Sequence, residues 1–248
     1  MQTTYDSKVI SVLEDKIQLI ETDKGSIYLV GPIRLPVSLD RETVVFQWYC
    51  WLNCDEVTAD YEGIITKLAS ANLAELQQSS VLVYGNLANA DEAIIRMHSI
   101  CHTGDIFGSK RCDCGFQLKL KNIVEHGTGA LFYLANHEGR GIGLFSKAMA
   151  YILQENGLDT VEANEALGFV DDSRNYSDAI QVLKALRSKP VTLMTNNPKK
   201  LEALKSAGLT VSERKPLWGD VSEFNEKYIQ TKISKSGHIV AEGTCCND

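Results

Sequence analysis

The pattern of hydrophobic and polar residues changes near residue 80 of this chain. Before that point, residues 26–30 and 43–51 are runs rich in β-branched and aromatic side chains, as in strands. Residues 62–77 carry apolar side chains at helical spacing: Ile64, Leu68, Leu73 and Leu76. The pattern predicts a β-rich or mixed N-terminal segment over residues 1–80 that closes with an amphipathic helix.

Beyond residue 80, extended runs alternate with helical ones. The predicted strands cover residues 81–84, 93–98, 129–134 and 191–195, and the predicted helices cover residues 116–126, 147–156 and 179–187. A further helix has Asn197 at its N-cap, Pro198 at its first position and Gly208 just past its end. This alternation predicts a mixed α/β catalytic domain over residues 81–217. The more polar residues 218–248 predict a C-terminal segment with a loose tail.

The net charge and the composition limit the classes of binding partner that we expect. The 248 residues are 44% hydrophobic and carry a net charge of -7, which argues against binding long nucleic acid. A small polyanion needs only a local cluster of basic residues. Residues 1–20 contain charged side chains throughout, so they predict neither a signal peptide nor a membrane span, and we expect a cytoplasmic protein.

Three of the seven cysteines lie within fourteen residues, at Cys101, Cys112 and Cys114. Catalytic zinc sites use three protein ligands and structural sites use four, so this cluster favours a catalytic Zn²⁺. Such an ion activates water for attack on an electron-poor carbon between two ring nitrogens. The alternatives are a closed site completed by His98, His102 or a distant cysteine, and a redox role for Cys112 and Cys114. Cys50 and Cys54 are interpreted as buried apolar cysteines.

Three stretches of this chain are CHTGDIFGSKRCDCGFQL, NHEGRGIGLFSKAMAYILQENGLDTVEAN and LMTNNPKK. In order and spacing, they resemble the signature blocks of the GTP cyclohydrolase II family. The resemblance implies that GTP loses carbon 8 as formate and its terminal phosphates as pyrophosphate. The product would be a diamino-pyrimidinone ribosylamine phosphate that starts riboflavin synthesis. One Zn²⁺ per chain, Mg²⁺ bound with the nucleotide and a homodimer are also implied.

The resemblance assigns a role to each matching position. The zinc ligands fall on Cys101, Cys112 and Cys114, and the catalytic residues fall on Tyr151, Asp172 and Arg174. The nucleotide contacts correspond to Arg96, Gln117, Glu138, Gly139, Arg140, Thr160, Thr195 and Lys200.

The chemistry of these side chains suits the implied roles. A carboxylate such as Glu138 accepts hydrogen bonds from N1 and the amino group of guanine, whereas Arg140, Lys147 and Lys200 bind phosphates. Arg174 is protonated at all ordinary pH values, which favours phosphate binding over a nucleophilic role. Without the resemblance, Tyr151 fits a core tyrosine and the Asp172–Arg174 pair fits a surface salt bridge.

Two departures from the family pattern are evident. Ile100 stands where the family commonly has a glutamate, directly before the first zinc cysteine, and residues 1–80 form a divergent extension. The alternative prediction is therefore a paralogue of a specialised pathway, with a different nucleotide or product. A nucleobase deaminase is disfavoured because the H-x-E and P-C-x-x-C motifs do not occur. A nucleotide-binding protein with a structural zinc has no need of Tyr151, Asp172 and Arg174 together.

Overall fold

The computed structural model describes residues 6–23, 25–54, 63–65, 68, 72–112, 115–219 and 221–240. Its strands are β1 Ile17–Thr22, β2 Gly25–Leu39, β3 Glu42–Cys54, β4 Ser80–Tyr84, β5 Ile94–Ser99, β6 Gly129–Leu134, β7 Val191–Met194 and β8 Val211–Lys215. Its α-helices are α1 Ser7–Glu14, α2 Phe116–His126, α3 Gly143–Glu155, α4 Thr160–Ala166, α5 Ser177–Leu186, α6 Pro198–Ser206 and α7 Glu226–Ser234. Single turns of other helix types occur at Leu73–Glu75, His102–Ile106 and Ala135–Arg140.

The eight strands form one mixed sheet in the order β1-β2-β3-β4-β6-β5-β7-β8. The pairs from β1 to β4, and β4 with β6, are antiparallel, whereas β6, β5, β7 and β8 run parallel. The predicted mixed α/β fold is confirmed. Because β3 pairs with β4 through Cys50 and Ser80, the sheet continues across the boundary that we predicted near residue 80.

Two clusters of buried side chains lie on opposite faces of this sheet. Alternate residues of a strand point to opposite faces, and neighbouring residues such as Leu131 and Phe132 of β6 fall into different clusters. One cluster receives the apolar side of α5, including Leu183, and the other receives Leu120 of α2. The N-terminal strands add Trp51 to the first cluster, so they share a core with the residues that follow residue 80.

Local signals account for the helix ends that were predicted. Asn197 caps α6 by accepting a hydrogen bond from the Lys199 amide at 2.9 Å, and Gly208 follows the helix in the left-handed region with a φ of 81°. Within the helix predicted over residues 62–77, residues 63–65 and 68 are helical, but Asn72 is left-handed and Leu73–Glu75 form a separate 3₁₀ turn, so the prediction of one helix to residue 77 is wrong. Residues 62, 66, 67 and 69–71 lie outside the described part of the chain. Sequence patterns missed α1, β1, α4, β8 and α7.

The helix α7 lies inside the segment that was predicted only as polar. Its Ile229 is buried, whereas most of its surface faces solvent, so its overall composition hides the short apolar side. The four residues of the expected tail, Cys245 to Asp248, lie outside the described part of the chain. Among the helices of the described residues, none has the length and apolar character needed to cross a membrane.

The parallel strands position several of the predicted site residues. Cys101 follows the carboxyl end of β5, the turn Ala135–Arg140 follows β6, and Thr195 follows β7. Because β5, β6 and β7 are parallel, these three ends meet at one edge of the sheet. A ligand cleft is expected at this edge, outside the strand ends.

Candidate active site

A cleft opens at the carboxyl ends of the parallel strands and collects most of the predicted site residues. Those that line it are Arg96, Cys101, Cys112, Glu138, Gly139, Arg140, Tyr151, Thr160, Arg174, Thr195 and Lys200. Gln117 is exposed on the first turn of α2 and is not part of the described lining. Asp172 contacts Arg174 but is not part of the described lining, and Cys114 lies outside the described residues.

The sulfur atoms of Cys101 and Cys112 lie side by side, next to the turn His102–Ile106 that Cys101 precedes. The two Sγ atoms are 3.4 Å apart, which is far longer than the ~2.05 Å of a disulfide bond. Two thiolates on one tetrahedral zinc lie about 3.8 Å apart, given Zn–S bonds of about 2.3 Å. The pair therefore fits a shared zinc ion. Among the described residues, no group of three Cys, His, Asp or Glu side chains forms a complete metal site.

Lys147 connects the cysteine pair to Glu138. Its ammonium group donates to Glu138 Oε1 at 2.6 Å and lies 3.1 Å from Cys101 Sγ. Burial lowers the pKa of Lys147, but the neighbouring Cys101 and Glu138 raise it more, so the ammonium stays protonated. A fixed cation at this distance favours the thiolate form of Cys101, which is the form that binds metal.

Glu138 is oriented by the backbone around it. Its Oε2 accepts a 2.7 Å hydrogen bond from the His102 amide, and its Oε1 accepts one from the Gly139 amide at 3.1 Å. A carboxylate offers about four acceptor positions. The three contacts from Lys147, His102 and Gly139 thus leave capacity for a ligand such as the guanine edge.

Asp105 anchors the loop that carries the cysteines. Its Oδ2 accepts hydrogen bonds from the Cys101 amide at 3.0 Å, from Tyr133 Oη at 3.2 Å and from His98 Nε2 at 2.8 Å. Burial lowers the pKa of His98 to about 4 despite the hydrogen bond with Asp105, so the ring is neutral near pH 7. Because the carboxylate can only accept, Nε2 carries the proton.

Tyr151 contacts the same loop from α3. Its hydroxyl lies 3.3 Å from Thr103 Oγ1, which in turn lies 3.5 Å from Cys101 Sγ and 3.7 Å from Cys112 Sγ. The guanidinium of Arg111 lies 4.1 Å from the centre of the Tyr151 ring. Burial raises the pKa of Tyr151 to about 12, so the phenol keeps its proton at neutral pH. The side chain faces the cleft and is therefore more than a core tyrosine.

Asp172 and Arg174 form a bidentate ion pair next to Ser99, the last residue of β5. Arg174 Nε donates to Asp172 Oδ1 at 2.7 Å and its NH2 group donates to Oδ2 at 2.6 Å. The side chains are only 8% and 13% exposed, respectively, unlike those of a surface salt bridge. Arg174 NH1 also donates to Ser99 Oγ at 3.3 Å, which fixes the guanidinium in the cleft wall.

Asp172→Asn is expected to remove part of the acid sensitivity of folding. Burial opposes ionisation of Asp172, but hydrogen bonds from Arg174 hold its pKa at about 2, below the ordinary 3.8. The lowered pKa contributes about 2 kcal/mol to the free energy of unfolding above pH ~4. That contribution is lost as the pH falls through about 2.

Chemical denaturation at pH ~6 and at pH ~2.5 measures this effect, because the linkage acts between these values. The Asp172→Asn variant should lose less stability on acidification than the wild type. Asp40→Asn is the matched control, since Asp40 forms an exposed ion pair with Lys121 and its left-handed backbone suits asparagine. Identical losses in the wild type and in Asp172→Asn would contradict the role of this pair.

Positive charge dominates the described lining of the cleft. The basic side chains are Arg96, Arg111, Lys119, Arg140, Lys147, Arg174, Lys200 and Lys232, and the acidic side chain of the described lining is Glu138. Four of the basic side chains have carboxylate partners, which are Glu155 for Arg111, Asp171 for Arg140, Glu138 for Lys147 and Asp172 for Arg174. Burial, together with the charges of Arg96 and Arg174, lowers the pKa of Lys200 well below its usual value. Lys200 Nζ donates to the Met97 carbonyl at 2.7 Å. An anion bound here would relieve the repulsion and favour the charged form of Lys200.

The chain is similar in sequence to known proteins. A model of the family described as GTP cyclohydrolase II matches residues 57–216. The chain belongs to the GTP cyclohydrolase II family. A GTP cyclohydrolase-2 from Haemophilus influenzae strain PittEE is 47% identical over 181 residues, which cover 72% of this chain and 83% of that relative.

Longer relatives match the same region. The riboflavin biosynthesis protein RibBA of Bacillus velezensis is 53% identical over 154 residues, which are 61% of this chain and 38% of that protein. The RibBA protein of Bacillus subtilis strain 168 is 49% identical over 172 residues, 68% of this chain and 43% of the relative. The chain thus spans less than half the length of these two relatives.

Three features of this GTP cyclohydrolase II family member were not found from its sequence. The first is the Asp105–His98 contact, although the aspartate stands within the cysteine motif. The second is Ser99, whose Oγ lies 3.2 Å from His137 Nδ1 and accepts from Arg174. The third is the contribution of α7 to the cleft. Ile100 also lines the cleft, beside the first cysteine.

Proposed function

We propose that this chain opens the imidazole ring of GTP and releases formate and pyrophosphate. The product would be 2,5-diamino-6-(5-phosphoribosylamino)pyrimidin-4-one, in the first step of riboflavin synthesis. Membership of the GTP cyclohydrolase II family supports this activity, as do relatives named GTP cyclohydrolase-2. The observation that carries the proposal is one cationic cleft that receives both the Cys101–Cys112 pair and Arg174.

The proposed metal is a Zn²⁺ held by Cys101, Cys112 and Cys114. The sulfur separation of the first two and the cation beside Cys101 support this assignment. When bound with an open position, such an ion supplies Lewis acidity and a water of lowered pKa. A second metal, Mg²⁺, is proposed to enter with the nucleotide because polyphosphates are usually bound as magnesium complexes. Thiolate ligands persist in a reducing compartment, which favours the cytoplasm.

The side chains of the cleft are proposed to bind the guanine base, to donate a hydrogen bond near the cysteine pair and to bind the phosphates. Glu138 would accept hydrogen bonds from the guanine edge, and Tyr151, which keeps its proton near neutral pH, would donate one near the cysteine pair. Arg174, oriented by Asp172, would bind the phosphates and stabilise charge that develops when pyrophosphate leaves. Because these groups are held by hydrogen bonds to neighbouring residues before any ligand binds, little reorganisation is required on binding.

A second candidate is a GTP cyclohydrolase II paralogue with another nucleotide or another end product. The observation that favours it is Ile100, which brings an apolar side chain into the cleft beside Cys101. The sec-butyl side chain of Ile100 cannot hydrogen bond to a polar substrate atom, so it alters which ring substituents are tolerated at that point.

Mass spectrometry of the products separates these functions. Metal-replete protein is incubated with GTP and Mg²⁺, and formate, pyrophosphate and pyrimidine nucleotides are followed with time. Formate and pyrophosphate released with the diamino-pyrimidinone would support the proposed reaction. Pyrophosphate alone, a formylated product or no turnover of GTP would overturn it. A panel of other nucleoside triphosphates and monophosphates then tests the paralogue.

We also propose that the chain forms a homodimer. Phe145, Met149 and Ile152 lie on one side of α3 and are 80%, 36% and 60% exposed, respectively. Exposed apolar side chains grouped in this way are typical of protein interfaces. The chain has a mass of 27.4 kDa, so light scattering should report about twice that value for a symmetric dimer. A monomer at all protein concentrations would contradict the proposal.

A further inference from the structure

Residues 226–240, here called the C-terminal strap, form one wall of the cleft. The strap consists of α7 and the residues that follow it. Tyr228, Lys232, Ser236 and His238 line the cleft together with the residues of the proposed nucleotide site. None of the four is among the substrate-binding residues that the sequence predicted.

Several polar contacts hold the strap against the rest of the domain. They join Lys235 to Asp159 and to Glu162 Oε1 (2.9 Å), Lys227 Nζ to the Gly157 carbonyl (2.8 Å), and the Ile239 amide to the Asn196 carbonyl (2.9 Å). These contacts start from α4, from the end of α3 and from the segment before α6. The strap therefore crosses the rim of the cleft and is fixed at both ends.

The strap also touches the nucleotide site directly. Ser236 Oγ accepts a 3.1 Å hydrogen bond from Arg140 NH2. Lys232 Nζ lies 4.2 Å from the centre of the Tyr228 ring one turn earlier, so both side chains share the side of α7 that lines the cleft. The charge of Lys232 contributes to the lowered pKa of Lys200, and Tyr228 interacts electrostatically with Arg174. Lys232 and Tyr228 thus line the same cleft as Lys200 and Arg174.

Lys232 adds a basic side chain to a cleft whose described lining also holds Arg96 and Lys200. Like charges held close together repel, and a bound polyanion converts this repulsion into attraction. A lysine ammonium is a compact charge with three donors, which suits a flexible phosphate chain. The position of Lys232 in the lining of the cleft therefore suits contact with a phosphate group.

We propose that Lys232 is a further substrate-binding residue that contacts the phosphate chain of the nucleotide. The strap then closes the phosphate end of the site, with Arg140 and Ser236 joining it to the rim. The identity of the nucleotide rests on the proposed function, whereas the chemistry that Lys232 recognises is that of a polyphosphate.

Calorimetric titration of the full chain with three probes tests this inference. The probes are a GTP analogue with a methylene bridge between the α- and β-phosphates, guanosine, and inorganic tripolyphosphate. Lys232→Gln should weaken binding of the analogue and of tripolyphosphate about tenfold, as expected for one charge-assisted hydrogen bond, and leave guanosine unchanged. Lys205→Gln is the matched control, because Lys205 is an exposed lysine on α6 outside the described lining of the cleft.

The outcomes separate this inference from the proposed function. If Lys232→Gln weakens tripolyphosphate binding but the wild type does not bind the GTP analogue, the result supports phosphate binding by Lys232. The same result overturns the proposal that the nucleotide is GTP. Unchanged affinity for both phosphate probes, or an equal loss in Lys205→Gln, overturns the role of Lys232. Lys232→Arg should keep most of the affinity, and a loss as large as that of Lys232→Gln would assign the effect to helix packing and overturn the inference.

Discussion

Replacing Cys112 with serine is expected to remove zinc from the protein and to abolish formate release from GTP. The Cys112 sulfur lies 3.4 Å from that of Cys101, a separation that suits two ligands of one ion. A serine hydroxyl stays protonated and binds zinc weakly, so the remaining cysteines cannot hold the ion. Loss of an outer partner of a metal ligand already costs about 10–100-fold, and loss of a ligand itself should cost more than about a hundredfold.

Two measurements on the same samples check this prediction. Zinc content by elemental mass spectrometry should fall from one ion per chain to near zero, and formate release should fall with it. Cys54→Ser is the control, since Cys54 lies at the end of β3 in the N-terminal part of the sheet. A Cys112→Ser variant that retains stoichiometric zinc would show that the ion is held elsewhere.

Arg174→Ala is the second substitution for which a large effect is expected, and it should separate phosphate chemistry from metal binding. The guanidinium is oriented by two hydrogen bonds to Asp172, and these contacts raise its pKa against the effect of burial. It is therefore a fixed cation at every assay pH. Loss of one such group that stabilises developing charge lowers turnover by about 10²–10³. Zinc content should be unchanged because Arg174 contacts Asp172 and Ser99 in the described structure.

The check is pyrophosphate release, measured beside zinc content and formate release. Arg34→Ala removes an equal charge from an exposed site on β2 and should behave as the wild type. Arg174→Lys keeps the positive charge but cannot form the bidentate contact with Asp172, so we expect a rate of pyrophosphate release between those of the wild type and Arg174→Ala. If Arg174→Ala lost zinc as fully as Cys112→Ser, the proposed division of labour between the two residues would be wrong.

The sequence patterns were strongest where a signal is local. The bounds of α2 and β6 follow from runs of periodic or β-branched residues, and the start of α6 follows from Asn197 and Pro198. Elements with weak local signals were missed. The helix α4 begins with a capping box of Asp159 and Glu162, but its seven residues are too short for a clear hydrophobic period.

The cysteine motif could be recognised from sequence because its members are close along the chain. Spacing alone brought Cys101 and Cys112 together, and the structure places their sulfur atoms side by side. Contacts between distant residues carry no such signal. Lys147 meets Cys101 across 46 positions, and Arg174 meets Ser99 across 75, because separate strands end at one edge of the sheet.

By itself, the sequence determined the mixed α/β class, the candidate metal ligands and the family resemblance, because each is encoded in residues that are neighbours along the chain. The tertiary structure decided how the N-terminal strands join the catalytic sheet, that Asp172 and Arg174 are buried, and that α7 faces the cleft. These features depend on long-range pairing and on which surfaces exclude water. Neither is visible in the composition of one segment.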